Sequence, residues 1–227
     1  VITHGLPHPQ NLELARAMEE IVRENGATPA TIAILDGKIH IGLSEDELEI
    51  LALGEGIRKI SLRDFGIALA GGLNGGTTVA GTLFVSDLAG IKVFATGGIG
   101  GVHRGNIFDV SADLTQLGKS PVVVVCSGAK AILDLQATRE VLETKGVPVV
   151  GFQTDEFPAF YTRSSGFSVD FRANSPEEAA NIALETWEAG ITSAVLLVVP
   201  PPEESSLSRE KMESAIKEAL ADAEESN

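Results

Sequence analysis

Apolar residues fall in two registers along this chain. Short β-branched runs alternate with longer stretches whose apolar positions recur every three or four residues, the pattern of parallel strands joined by crossover helices. The runs predict strands over residues 31–35, 38–42, 91–95, 122–126, 147–152 and 194–199. Residues 122–125 and 195–199 are apolar without alternation, as strands covered on both faces should be. Leu12, Ala15, Met18, Ile21 and Val22 mark a helix over 11–25 that stops at Gly26, a left-handed cap position. Ser44 followed by Glu47 is a capping box opening a helix over 45–53. Ser175-Pro176-Glu177-Glu178 supplies a cap, a first-turn proline and two carboxylates for a helix running to about Gly190. A charged amphipathic helix over 208–225 follows the stiff spacer Pro200-Pro201-Pro202. These elements predict an α/β fold, a mostly parallel sheet with helices on both faces. Asp36-Gly37, between two strands, signals a type I′ hairpin and hence an antiparallel edge.

Length and charge narrow this picture. At 227 residues and 44% hydrophobic content the chain can bury a large core, and no shift of composition splits it, so a single domain over 1–227 is expected. Seventeen Lys and Arg against 32 Asp and Glu give a net charge of −15, which repels polyanions and leaves a small anion in a local basic pocket as the compatible partner. Nucleic acid and membrane surfaces are therefore not expected as partners. A single cysteine, Cys126, forbids an internal disulfide and reads as an ordinary buried thiol, which suits the cytoplasm. No apolar run reaches the roughly 18 to 20 residues of a membrane span.

Three consecutive loops concentrate glycine, hydroxyl and cationic groups. Asn74-Gly75-Gly76-Thr77-Thr78 precedes a small-residue helical pattern over 79–88; it is either an anion cradle at a helix start or a Gly-rich turn with threonine as N-cap. Thr96-Gly97-Gly98-Ile99-Gly100-Gly101-Val102-His103-Arg104-Gly105 follows a predicted strand directly, where ligands of open α/β sheets bind. Arg104 there has the shape for bidentate phosphate recognition. The glycine spacing is not that of a dinucleotide-binding fingerprint. Ser127-Gly128-Ala129-Lys130 follows the next strand. An apolar setting would favour the free amine of Lys130, a nucleophile toward a carbonyl; a lysine snorkelling from a helix start is the alternative. Asp109 and Asp113, four apart, offer oxygen ligands to a hard cation if helical, or else cap a short helix. His4, His8 and His40 have no metal-motif spacing.

The same residues resemble a known family. His4-Gly5-Leu6-Pro7-His8-Pro9-Gln10-Asn11, Asn74-Gly75-Gly76-Thr77-Thr78-Val79-Ala80, Phe94-Ala95-Thr96-Gly97-Gly98-Ile99-Gly100-Gly101-Val102-His103-Arg104-Gly105 and Asp109-Val110-Ser111-Ala112-Asp113-Leu114 are similar to the pseudouridine-5′-phosphate glycosidases, the indigoidine synthase A-like family, with likeness over nearly the whole chain. The resemblance implies reversible cleavage of pseudouridine 5′-phosphate to uracil and ribose 5-phosphate, a divalent metal, usually manganese (Mn2+), and a homotrimer. It places the Schiff-base lysine on Lys130, a second active-site lysine on Lys59, the metal ligand on Asp113, and phosphate- and sugar-binding positions on Ser61, Thr78, Thr96, His103, Arg104 and Ser111. The family's general-acid glutamate would precede Val1, and its Asn-rich C-terminal segment would follow Asn227. An amine suits the chemistry because the leaving atom is carbon: a nitrogen lone pair at C1′ can expel the base once the ring carbon is protonated. Two other readings remain, a lysine-dependent glycosidase or aldolase on another sugar phosphate and a non-catalytic phosphosugar-binding protein.

Overall fold

The computed structural model describes residues 2, 3 and 5–225, so His4 of the N-terminal motif and Val1 lie outside the described residues. The chain divides into two compact units, Val1–Val85 and Ser86–Asn227.

In the first unit helix α1 (Gln10–Glu24) is followed by strands β1 (Ile32–Leu35) and β2 (Lys38–Ile41) and helix α2 (Glu45–Leu53). Strand β3 (Arg58–Ile60), helix α3 (Phe65–Ala70), strand β4 (Gly75–Thr77) and helix α4 (Val79–Leu88), which spans the boundary, come next. The sheet order is β2-β1-β4-β3, with only the β3–β4 pair parallel. Asp36 (φ 48°) and Gly37 (φ 68°) are both left-handed, as a type I′ turn requires. The hairpin they close is not an edge of the parallel sheet: β1 takes β4 as its second neighbour, making a separate mixed sheet. Leu12, Ala33, Leu35, Leu43, Leu48 and Leu51 form the core beneath it.

One of the predicted helix features is met here and one is shifted. Ser44 Oγ accepts from the Glu47 amide while Glu47 accepts from the Ser44 amide, closing the capping box. That backbone bond holds the Glu47 carboxyl below its ordinary range. In α1, however, Leu12, Ala15 and Glu19 are buried whereas Met18 and Ile21 are exposed. The inward stripe is displaced because Glu19 is tied inward, its carboxylate accepting from Thr31 Oγ1 at 2.7 Å and Arg23 Nη2 at 2.7 Å.

The second unit contains β5 (Val93–Ala95), β6 (Val102–His103), β7 (Asn106–Val110), α5 (Ala112–Leu117), β8 (Val123–Cys126) and β9 (Leu133–Asp134). It continues through α6 (Leu135–Thr144), β10 (Val149–Phe152), β11 (Phe171–Ala173), α7 (Pro176–Glu188), β12 (Val195–Val198) and α8 (Arg209–Glu225). Five strands form an all-parallel sheet in the order β11-β10-β12-β8-β5, and β7-β6-β9 form a small antiparallel sheet. Consecutive residues of β10 and β12 are buried, so the sheet is covered on both faces there, as the unbroken apolar run over 195–199 predicts, whereas β8 alternates between half-buried and buried residues. Ala179 and Ala183 of α7 pack on Val150, Ala173 and Val195, small residues that bring the helix close to the sheet. Among the described residues no helix is long and apolar enough to cross a membrane.

Candidate functional site

Strands β5 and β8 run side by side in parallel, and their pairing does not stop where the sheet does. The Thr96 amide donates to Val125 O, Ser127 to Gly97 O, Ile99 to Gly128 O and Lys130 to Ile99 O, at 2.9 to 3.1 Å. The glycine-rich loop and the lysine loop are therefore zipped together beyond the carboxyl ends of adjacent strands, the position at which open α/β sheets bind ligands. Gly98 and Gly128 permit the approach. A Cβ on Gly128, whose φ is +87°, would strike the Pro158 carbonyl, and one on Gly98 would meet the Phe160 ring at 2.5 Å.

Ser111 and Asp113 join the same loop from the start of α5. The Ser111 amide donates to Gly101 O at 2.9 Å, and the Gly100 amide donates to Asp113 Oδ2 at 2.8 Å. Ser111 Oγ caps the helix by accepting from the Asp113 amide at 3.2 Å. Asp113 is 5% exposed, so its carboxylate is held by backbone rather than by solvent. Thr96, Ser111, Asp113 and Lys130 are thus gathered around one pair of loops. Lys130 itself is exposed, so its setting is less apolar than its neighbours in sequence suggest, and no helix starts there.

Other expected residues are placed differently. Asp109 does not share a helix face with Asp113; it lies on exposed strand β7, 4.0 Å from His103 Nδ1, because residues 102–110 form a β-hairpin. Arg104 sits at the turn of that hairpin with its guanidinium on Glu213, Ala131 O and Leu133 O. In the first unit, Asn74–Thr78 is not an open loop, since Gly75–Thr77 is strand β4. A Cβ at Gly76 would meet Thr3 Oγ1 at 2.6 Å. Thr78 Oγ1 accepts from the Gly81 amide at 3.2 Å, the N-cap alternative. Lys59 is an exposed residue of β3, and the Ser61 amide donates to Asp64 Oδ2 at 3.0 Å.

Ser127 was not singled out by its type. Its hydroxyl oxygen is buried with no hydrogen-bond partner among the described residues, just after β8 and three residues before Lys130. A small polar residue closing a central apolar strand is the signal that would have found it. Cys126, one residue earlier, is buried, and burial pushes its thiol up to about 12, which makes it a packing residue rather than a nucleophile.

Among the described residues no three His, Cys, Asp or Glu side chains cluster to hold a metal ion. The donors at the loops are oxygens: the Asp113 carboxylate and the hydroxyls of Ser111 and Ser127. This set fits a hard divalent cation that keeps most of its water shell and takes only one or two carboxylates.

The family model described as indigoidine synthase A-like protein matches residues 1–227. A pseudouridine-5′-phosphate glycosidase of Caldanaerobacter subterraneus subsp. tengcongensis is 57% identical over 226 residues, covering 99% of this chain and 74% of that protein. The crystal structure of an indigoidine synthase A-like protein from Thermotoga maritima superposes with a TM-score of 0.91 at 44% identity, covering 96% of this chain and 73% of that one. A prealnumycin C-glycosynthase solved in complex with ribulose 5-phosphate superposes with a TM-score of 0.89 at 45% identity, covering 94% of this chain and 71% of that one.

Proposed function

The chain belongs to the indigoidine synthase A-like family, and from that premise we propose that it reversibly cleaves the C–C glycosidic bond of pseudouridine 5′-phosphate to uracil and ribose 5-phosphate. The observation that carries this reading is the zipped pair of loops that sets Lys130 beside the glycine-rich loop, in a chain 57% identical to a pseudouridine-5′-phosphate glycosidase. Lys130 Nζ adds to C1′ of the ring-opened ribose. The nitrogen lone pair then expels uracil as its ring carbon takes a proton, and water releases the resulting imine as ribose 5-phosphate.

Thr96, Ser111 and His103 would donate hydrogen bonds to the sugar and phosphate, and the orphan hydroxyl of Ser127 is suited to the same work. For Lys59, Ser61 and Thr78 we retain the roles of second lysine and polar substrate contacts. Asp113 would hold a divalent cation, manganese in the first instance, whose chemistry when bound is electrostatic stabilisation of substrate oxygens. We also place the protein in the cytoplasm as a homotrimer. The free buried thiol suits a reducing compartment, and Ile107 and Phe108, 70% and 90% exposed on β7, offer an apolar surface for assembly.

Borohydride reduction in the presence of ribose 5-phosphate tests the central step. The expected result is an irreversible mass adduct on Lys130, absent from Lys130→Ala, together with uracil-dependent synthesis in the reverse direction. Turnover by Lys130→Ala at the wild-type rate would remove the lysine from the mechanism. An adduct formed without any dependence on uracil would instead favour a lysine enzyme acting on another sugar phosphate.

A further inference from the structure

Arg104 follows the glycine-rich loop, and its shape invites a role in binding phosphate. Its observed contacts point elsewhere. The Leu133 amide donates to Lys130 O at 3.0 Å, closing a four-residue turn whose first member is the lysine. Arg104 donates to two carbonyls of that turn, from Nε to Leu133 O at 3.2 Å and from Nη2 to Ala131 O at 3.4 Å. Nη1 and Nη2 also meet Glu213 of α8, Nη1 to Oε2 at 3.2 Å and Nη2 to Oε1 at 3.4 Å. The fork that would grip a phosphate is therefore already filled. The cavity that Arg104 lines is bounded by Ala131, Leu133, Phe167 and Glu213, and receives no lining from Thr96, Ser111 or Lys130.

On these observations we propose that Arg104 is a positioning residue for Lys130. From the hairpin it clamps the turn that leaves the lysine, while the Lys130 amide, bonded to Ile99 O, fixes the side that enters it. The backbone on both sides of the nucleophile is then tied to the glycine-rich segment 99–104, one end through main chain and the other through a guanidinium. A nucleophile displaced by about 1 Å can lose on the order of 10²-fold in rate while substrate binding is untouched. Glu213 orients the guanidinium without touching the turn, so its charge matters less than the two carbonyl bonds.

This inference rests on Lys130 being the Schiff-base lysine, and the test separates the two. Borohydride trapping is followed as a function of ribose 5-phosphate concentration, giving a saturating rate and a half-saturation concentration. If the wild-type chain forms no adduct on Lys130, the functional reading fails. Where it does, Arg104→Ala is expected to trap roughly 10- to 100-fold more slowly at saturation, with half-saturation within about twofold of wild type. Glu213→Gln, which keeps both carbonyl bonds, is expected within about threefold of wild type in both quantities. Should Arg104→Ala not fold, Arg104→Gln, able to donate to one carbonyl, is expected to show the same split with a smaller loss. A half-saturation raised tenfold or more at an unchanged saturating rate would make Arg104 a phosphate ligand and overturn the proposal. So would an Arg104 variant matching wild type in both quantities, or a Glu213→Gln loss as large as that of Arg104→Ala.

Discussion

Asp109 and Asp113 are four residues apart, carry the same side chain, and are opposite in circumstance. Asp113 is buried with an oxygen on the Gly100 amide, whereas Asp109 stands exposed on β7 beside His103. If Asp113 holds the cation, Asp113→Asn keeps an oxygen for the Gly100 amide and the loop intact, but removes the charge that attracts the ion. Metal titration of its turnover is expected to shift by roughly tenfold or more, with the Asp109→Asn curve overlaying wild type. The reverse pattern would move the ion to the hairpin. Residue identity was the most legible level of this site: Lys130 and the loop that opens at Thr96 could be picked out from their type and their place after apolar runs, whereas Ser111 came only with the family resemblance. Partners were not legible. Nothing in the string says that the Arg104 fork closes on carbonyls 131 and 133, because those contacts arise from the register of β6 with β9, a pairing of only two residues on each side.

The long elements were readable because burial is periodic in them; the short ones were not, because their strand state is imposed by neighbours. Strand β4 is Gly-Gly-Thr, with almost no side-chain signal, yet it pairs with β1 on one side and β3 on the other through its backbone. The loops after β5 and β8 show the same dependence. Phe160 adopts a left-handed conformation, φ 61°, unusual for a bulky residue, with its amide on Ser127 O at 2.9 Å and its ring against Gly97 and Gly98. Gly98→Ala should therefore cost about 1 to 3 kcal/mol by overpacking the ring, and Phe160→Ala in the same chain should recover part of that loss. Urea denaturation of the two single variants and the double variant measures the coupling. Strict additivity would mean that the ring swings clear and does not hold the loops together.

At the scale of the whole molecule, a net charge of −15 keeps copies apart unless apolar surface offsets it. The most exposed large apolar side chain among the described residues is Phe108, in a strand with all five residues exposed. If the protein forms the proposed trimer through this strand, Phe108→Asp is expected to yield a folded monomer, which light scattering and far-UV circular dichroism read together; an unchanged mass would take this strand out of the interface. The sheet order was the least legible feature of all, since an apolar run carries no address for its neighbour. That order has a consequence in time. Strand β12 is the last of the parallel sheet to be synthesised, yet it lies in the middle, between β10 and β8. While the chain emerges from the ribosome, β8 can pair with β5 on one side only, and its other edge stays open until Val195–Val198 arrive. The pair of loops that bears Lys130 consequently becomes rigid only once β12 has joined the sheet, although its own residues are made well before that strand.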